Sequence, residues 1–460
     1  MTRQVFRRRS RLEAPAEEVF RWHARPGAFE RLNPPWEPAE VSARTGGIEE
    51  EGSRVVLCVG PLRQRWVAEH YGCRPGREFR DRQISGPFAF WQHVHRMEPD
   101  GASASFLEDE IEYALPGGAA GDLVGGGLVR SILERMFTYR HRVTADDLAV
   151  HAPCRGGAAM KIAVTGASGL IGGALVPFLT TGGHEVRRLV RRAPRSEDEI
   201  RWDPAKGEID AAALEGLDAV VHLSGENVAG GRWTDARKAR IRESRIDSTR
   251  TLARALASAK KKPKVLVSAS AIGYYGDQGD EWVTESSPPV DDFLARLAVD
   301  WEAAAAPAAE VGIRVAHPRI GLVLSPAGGA LGKLLLPFRL GLGGVVGPGR
   351  QYMSWVAIDD VLAALHHALV KEEVSGPFNL VAPEPVTNRE FTKTLGRVLG
   401  RPTVAAVPAF LLKAALGQMA EATLLASTRV RPDRLRSSGY RFRFPGLEGA
   451  LRHLLGETAS

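Results

Sequence analysis

Cysteine is scarce in this sequence, and the few residues present form no pattern. Cys58, Cys73 and Cys154 include no CxxC pair, so the sequence predicts neither a structural zinc site nor a disulfide framework. Long hydrophobic runs are also missing. Apolar stretches such as residues 407–419 are interrupted by Lys413 or by glycine and proline before they reach the roughly 18 residues that a membrane-spanning helix requires. We therefore expect no membrane span.

The opening residues do not show the pattern of a secretory leader. The opening MTRQVFRRRSRLEAP is basic, but Glu13, Glu17 and Glu18 stand where a leader has its apolar run and small-residue cleavage site. We therefore expect a cytoplasmic protein. The composition, with 44% hydrophobic and 25% charged residues over 460 positions, excludes a disordered or collagen-like chain. This length predicts more than one domain.

Lysine is missing from the first 160 residues, which hold 22 Arg against 22 Asp plus Glu. The whole chain carries 61 basic and 54 acidic residues, so the net charge of +7 arises entirely after residue 160. A modest and dispersed surplus favours an anionic small molecule over nucleic acid, because duplex binding usually needs a clustered basic stripe. The missing lysine also excludes Schiff-base chemistry from the first part of the chain.

A short stretch rich in glycine and alanine, at residues 151–159, separates two regions of different pattern. Residues 160–164 follow it and read MKIAV, which is typical of the first strand of a new domain. We therefore predict a first domain over residues 1–150, a linker over 151–159 and a second domain that begins at residue 160.

The first domain alternates strand-like runs with turns and ends in one amphipathic helix at residues 123–139. The strand-like runs are residues 5–12, 53–59, 62–70, 78–84, 88–97 and 104–113. This order predicts an α+β helix-grip fold, in which the last helix closes a half-barrel around an apolar cavity. The pattern resembles the START-like (polyketide cyclase and lipid-transport) superfamily, as do PPW at 34–36, GPF at 86–88 and WxHxH at 91–95. The resemblance implies an apolar ligand.

Two histidines in this domain, His93 and His95, stand two residues apart on a predicted strand. They therefore point to the same face, as metal ligands would. No third ligand stands at a zinc-site spacing, and paired histidines on a strand are commonly hydrogen-bonded wall residues. We therefore predict no metal.

The second domain alternates strands and helices, which predicts an α/β fold with a doubly wound parallel sheet of the Rossmann type. Its first strand leads into TGASGLIG at residues 165–172. Glycines at this spacing allow a tight turn, the approach of a pyrophosphate and close packing of the following helix. The predicted cofactor contacts are Gly166, Ser168, Gly169, Leu170, Ile171 and Gly172.

The end of the second strand indicates which dinucleotide binds. A site that prefers NAD usually has an acidic residue there, whereas this chain has Arg191 and Arg192. Two guanidinium groups suit a 2′-phosphate. The sequence therefore favours NADP over NAD, and the alternative is that one or both arginines are solvated surface residues.

Further phrases resemble the extended short-chain dehydrogenase/reductases: DAVVHLSG at 218–225, VSASAIGYYGD at 267–277 and WVAIDD at 355–360. The order of GENV, GYYGD, PFRLGLGG and GPFNLVAP narrows this resemblance to an epimerase-like family whose members end in a small domain of unknown function. Some members carry a cell-division-inhibitor label. The resemblance implies a Rossmann domain over residues 160–406 and a small C-terminal substrate domain over 407–457. It also implies cofactor contacts at Leu223, Ser224, Gly225 and Ser268.

The catalytic Tyr-x-x-x-Lys pair of such dehydrogenases is missing, because none of the seven tyrosines is followed by lysine four positions later. Leu294 and Ala298 occupy the usual positions. We interpret Ser270, Tyr274 and Tyr275 as candidate catalytic hydroxyls, or as residues that shape a cofactor pocket without turnover.

Charged and polar groups after the fourth strand complete the candidate site. Glu226, Asn227, Arg232 and Arg350 are the candidate substrate contacts, with a surface role as the alternative. The sequence thus predicts an atypical oxidoreductase or epimerase-like protein that binds NADP and acts on a small metabolite. The alternative is an inactive scaffold that senses the cofactor.

Overall fold

The computed structural model describes residues 3–37, 39–60 and 62–457, which form two compact units. The first unit contains the described residues up to Ala158, together with Pro177–Gly183 and the chain end from Leu455. The second contains Ala159–Val176 and His184–Leu454. Among the described residues, no helix combines the length and the hydrophobicity that a bilayer crossing requires.

The first unit is built on one antiparallel sheet. Its strands are β1 (Gln4–Leu12), β2 (Glu40–Arg44), β3 (Arg54–Val59), β4 (Gln64–Arg74), β5 (Glu78–Ser85), β6 (Phe90–Asp100) and β7 (Ala104–Ala114). The spatial order is β1-β7-β6-β5-β4-β3-β2. The helices are α1 (Ala16–Ala24), α2 (Ala28–Leu32) and α3 (Ala119–His151). This is the predicted helix-grip architecture.

The final helix is longer than predicted, because α3 continues twelve residues past Tyr139 to His151. Its buried positions run from Leu133 through Phe137 to His141, Thr144 and Leu148 at helical spacing. Hydrophobicity alone predicts an end at residue 139, because four of the six later buried positions are polar: His141, Thr144, Asp147 and His151. The side chains that α3 presents to the sheet are therefore a mixture of apolar and polar groups.

The second unit is an α/β structure. Its strands are β8 (Lys161–Thr165), β9 (Glu185–Val190), β10 (Glu199–Asp203), β11 (Glu208–Ile209), β12 (Ala219–His222), β13 (Val265–Ser268), β14 (Ser270–Ala271), β15 (Trp282–Val283), β16 (Arg314–Ile320), β17 (Leu322–Leu324), β18 (Gly344–Val346), β19 (Tyr352–Met353), β20 (Trp355–Ala357), β21 (Gly376–Leu380), β22 (Val386–Thr387), β23 (Ala405–Val407) and β24 (Arg429–Val430). Its helices are α4 (Leu170–Thr181), α5 (Asp235–Ser258), α6 (Phe293–Ala303), α7 (Ala306–Glu310), α8 (Gly329–Arg339), α9 (Ile358–Val370), α10 (Asn388–Val398), α11 (Ala409–Leu416), α12 (Gln418–Ala420), α13 (Asp433–Ser437) and α14 (Leu447–Leu455).

The central sheet has the order β11-β10-β9-β8-β12-β13-β16-β14, with β21 paired to β16. All these pairings are parallel except that of β10 with β11. The buried runs of β8, β12 and β13 are continuous and apolar, as expected for strands covered on both faces. This is the predicted doubly wound fold.

The C-terminal segment shares sheets with earlier parts of the second unit. Strand β23 pairs with β18, and β24 pairs with β15. The buried Asp360 carboxylate accepts hydrogen bonds from the Tyr440 hydroxyl and from the backbone amides of Arg443 and Phe444. The last aspartate of WVAIDD therefore holds the C-terminal segment in place.

Candidate functional site

The loop after β8 forms a cradle that only glycine can build. Gly166 adopts a φ of +67°, and a Cβ there would lie 2.8 Å from the Leu223 carbonyl oxygen. A Cβ on Gly172 would lie 2.2 Å from the Gly166 carbonyl oxygen, so a side chain would push α4 away from the loop. Ser168 and Gly169 lie between them and are exposed. The cradle therefore presents its backbone and the start of α4 to solvent.

The cradle lies where the strand order of the sheet reverses, between β8 and β12. Thr165 and His222 are register partners at the ends of these strands, and the Thr165 Oγ1 and His222 Nδ1 atoms are 2.7 Å apart. Thr165 Oγ1 also accepts a 3.0 Å hydrogen bond from the Leu223 amide. Burial lowers the pKa of His222 to about 3, so this ring is a neutral positioning group. Ligands of doubly wound sheets bind at such a crevice.

The residues at the carboxyl ends of the neighbouring strands complete the crevice. Leu223, Ser224 and Gly225 follow β12, directly beside the cradle. Ser268 ends β13, and its Oγ is buried without a hydrogen-bond partner among the described residues. A buried hydroxyl without a partner is unusual and fits a group that a ligand completes. Together with the glycine cradle, this residue set fits a dinucleotide.

The two arginines after β9 have different roles. Arg192 donates two hydrogen bonds, of 2.7 and 2.6 Å, to the buried Glu199 carboxylate, and this pairing lowers the pKa of Glu199 to about 2. Arg191 is exposed and makes no ion pair within the described part of the chain. Of the two, Arg191 is therefore the one available to a ligand phosphate.

Sequence reasoning missed Arg245, which lies under the loop that follows β12. A Cβ on Gly225 would be 3.0 Å from the Arg245 guanidinium carbon. Burial lowers the pKa of Arg245 to about 10, and its side chain lies over the Trp301 ring. No signal distinguished this residue, because it belongs to an arginine-rich helix, α5, whose other arginines are mostly exposed.

The candidate catalytic hydroxyls belong to a network centred on Arg319, a residue of β16 that sequence reasoning also missed. Arg319 forms a bidentate ion pair with Glu302, with distances of 2.8 and 2.9 Å, and it is 3% exposed. Ser270 Oγ donates to the same Glu302 carboxylate at 2.7 Å. Arg319 also donates to the Tyr275 hydroxyl, which in turn donates to Asn379 Oδ1 at 2.7 Å.

The structure separates the two tyrosines that the sequence leaves equivalent. Tyr275 is fully buried, and burial raises the pKa of its phenol. Tyr274 is only partly buried, and the Arg319 guanidinium carbon lies 3.4 Å from the centre of its ring. A Cβ on the neighbouring Gly273 would lie 3.2 Å from the Leu294 Cβ, so this loop packs against α6 where typical dehydrogenases have their tyrosine. Of the two tyrosines, Tyr275 is the one whose hydroxyl is hydrogen-bonded within the Arg319 network.

Tyr275→Phe should reduce stability rather than chemistry. The substitution removes one partner from both the Arg319 guanidinium and the Asn379 side chain inside the core, and each unsatisfied buried group costs about 1–3 kcal/mol. We expect the free energy of unfolding, measured by urea denaturation, to fall by at least about 1 kcal/mol. Tyr352→Phe is the matched control, because the Tyr352 hydroxyl makes no hydrogen bond within the described residues. Equal stabilities of the two variants would contradict the structural role.

The candidate substrate residues are only partly brought together. Glu226 lies 3.9 Å from Arg237, Asn227 Oδ1 accepts from the Ala229 amide, and Arg232 donates to the Ala414 carbonyl oxygen. These three therefore shape the loop between β12 and α5, which packs on the C-terminal segment through Trp233. Arg350 is exposed and forms no ion pair among the described residues.

Comparison with known families agrees with this geometry. Residues 162–380 match the NAD dependent epimerase/dehydratase family, residues 12–137 match the polyketide cyclase / dehydrase and lipid transport family, and residues 407–454 match a domain of unknown function. Both resemblances inferred from the sequence are thus confirmed. An epimerase family protein of Mycobacterium tuberculosis is 46% identical over 281 residues, which cover 61% of this chain and 93% of the relative.

Solved structures extend the comparison. A nucleoside-diphosphate sugar epimerase from Corynebacterium glutamicum is 34% identical with a TM-score of 0.81, and the match covers 98% of this chain and 90% of that one. A human epimerase family protein crystallised with NADPH is 38% identical with a TM-score of 0.60, and the match covers 64% of this chain and 99% of that one.

Proposed function

Because this chain belongs to the epimerase family, we propose that its second unit binds NADP(H) and acts on a small metabolite. It either reduces the metabolite with NADPH or epimerises it by transient oxidation with NADP⁺. The observation that carries the catalytic part is the stacking of Arg319 on the partly buried Tyr274, at 3.4 Å from the ring centre. The observation that supports binding is the glycine cradle beside the buried Ser268 hydroxyl without a partner. An anionic substrate is favoured, because the positive surplus of the chain lies in this unit.

The preference for NADPH rests on Arg191. Arg191→Ala should lower NADPH affinity by about 10- to 100-fold, because a hydrogen bond to a charged group is worth about 1.5–3 kcal/mol. NADH affinity should not change, since NADH lacks the 2′-phosphate. Isothermal titration of both cofactors measures the difference, with Arg240→Ala as the control for an exposed arginine on α5. Equal loss for NADPH and NADH would contradict the assignment.

The chemistry follows from the placement of charge. NADPH supplies a hydride when bound, so the chain must supply a proton to the substrate oxygen. Tyr274 carries a hydroxyl that can donate this proton, and the guanidinium of Arg319 stabilises negative charge that develops on its ring. Glu302 holds Arg319 in position through both carboxylate oxygens. In this proposal Arg319 takes the role of the missing lysine: its positive charge lies over the face of the Tyr274 ring.

The test is a screen of the full chain against anionic carbonyl compounds and nucleoside-diphosphate sugars, with NADPH as the cofactor for reduction and NADP⁺ as the cofactor for epimerisation. Absorbance at 340 nm detects reduction, and chromatography of the products detects epimerisation, which leaves the cofactor unchanged overall. Turnover of one class supports the proposal. NADPH binding without turnover of any compound favours the second candidate, a cofactor-sensing scaffold, which the apolar Leu294 and Ala298 at the usual catalytic positions also favour.

A further inference from the structure

The sheet of the first unit places a set of histidine and aspartate side chains side by side inside the half-barrel. Register partners across β4, β5 and β6 are His70, Asp81 and His93, and across β6 and β7 they are His95 and Asp109. Residues directly opposite each other point to the same face of a sheet. The cluster is therefore a product of strand register, which brings His70, Asp81 and Asp109 to the neighbouring pair His93 and His95.

The distances within this cluster match a metal site. Asp81 Oδ2 lies 3.3 Å from His93 Nδ1 and 3.3 Å from His95 Nε2, and one donor atom from each of the three residues lies within 4.8 Å of the other two. Tetrahedral donors at about 2.0–2.2 Å from a zinc ion are separated by about 3.3–3.6 Å. The two distances from Asp81 thus equal the edge length of a coordination tetrahedron.

The opposite nitrogens of both rings bind a second carboxylate. Asp109 Oδ1 lies 2.9 Å from His93 Nε2 and 2.6 Å from His95 Nδ1, while Asp109 Oδ2 lies 2.6 Å from His141 Nε2. Histidines that bind a metal usually donate their other N–H to a carboxylate in this way. With an ion beside Asp81, each neutral ring needs a single proton, and that proton points to Asp109.

We propose that Asp81, His93 and His95 bind a divalent transition-metal ion, with zinc as the first candidate and iron(II) as the second. Two imidazoles and one carboxylate suit both ions. Two apolar clusters flank the site, one containing Phe79 and the other Phe137.

The test uses the full chain after treatment with a chelator, titrated with ZnCl₂ by calorimetry and with CoCl₂ by visible absorption. We expect Asp81→Asn and His95→Gln each to bind one metal ion fewer per chain than the unaltered protein. Asp109→Asn should lower the affinity for this metal ion by about 10- to 100-fold, because it removes a carboxylate that hydrogen-bonds to the ligand histidines. His23→Gln is the matched control, since His23 is a buried histidine of the same unit bonded to the Val19 carbonyl oxygen.

X-ray absorption of the zinc-loaded chain gives a readout besides stoichiometry. Imidazole scattering that is present in the unaltered chain and reduced in His95→Gln supports the site. The proposal is overturned if the unaltered chain binds neither zinc nor iron(II), or if stoichiometry and affinity are the same in Asp81→Asn, His95→Gln and His23→Gln. Iron(II) binding that depends on the same residues keeps the site and changes only the ion.

Discussion

Gly169→Val should abolish dinucleotide binding while the fold stays intact. The exposed Gly169 backbone lies where a pyrophosphate must approach the start of α4. A branched side chain there costs about 1–3 kcal/mol in overpacking and removes charged hydrogen bonds worth about as much again. Their sum predicts that NADPH affinity falls by more than about 100-fold.

Gly169 is the right glycine for this test. A Cβ at this position meets only the Gly166 carbonyl oxygen, at 3.2 Å, whereas Gly166→Ala and Gly172→Ala would strain the loop itself. The matched control is Gly173→Ala, whose Cβ would meet nothing closer than 3.7 Å and which improves helix propensity. Calorimetry measures NADPH affinity, and circular dichroism checks the fold. Binding of NADPH to Gly169→Val with unchanged affinity would place the cofactor elsewhere.

The elements of the site that are continuous in sequence could be predicted. The glycine cradle follows its strand directly, so residues 165–172 predict both its position and its chemistry. The helix-grip domain could be predicted for the same reason, from the order of its strands. The end of α3 could not, because His141 and Thr144 take buried positions that hydrophobicity assigns to solvent.

The elements assembled from distant residues could not be predicted. Arg319 lies on β16, whereas its partners Glu302 and Tyr275 lie outside that strand. No spacing in the sequence links these three residues. Asp81 escapes notice as a partner of His93 because strand register, not a motif, brings them together. The ion pair between Arg192 and Glu199 could not be predicted either, because it depends on the pairing of β9 with β10.

Tyr274→Phe should suppress turnover without affecting cofactor binding. The loss of a positioned general acid typically costs about 10² to 10⁴ in rate, whereas the cradle that holds NADPH is built from other residues. We therefore expect kcat for whichever substrate the screen identifies to fall in this range, with NADPH affinity changed by no more than about 3-fold. Ser270→Ala should have a smaller effect, because Ser270 contacts Glu302 and acts only through the position of Arg319.

Arg319 provides the decisive comparison. If its charge assists proton donation by Tyr274, then Arg319→Lys, which keeps the charge but loses the fork that Glu302 binds, should retain more activity than Arg319→Met. A purely structural role predicts equal activity in these two variants once both are shown to fold, because both lose the bidentate pairing with Glu302. Tyr275→Phe serves as the control for a lost hydroxyl in the same loop and should keep kcat within about 10-fold, below the cost of a lost general acid. Turnover that survives Tyr274→Phe unchanged would remove Tyr274 from the mechanism and leave the proton to a bound water.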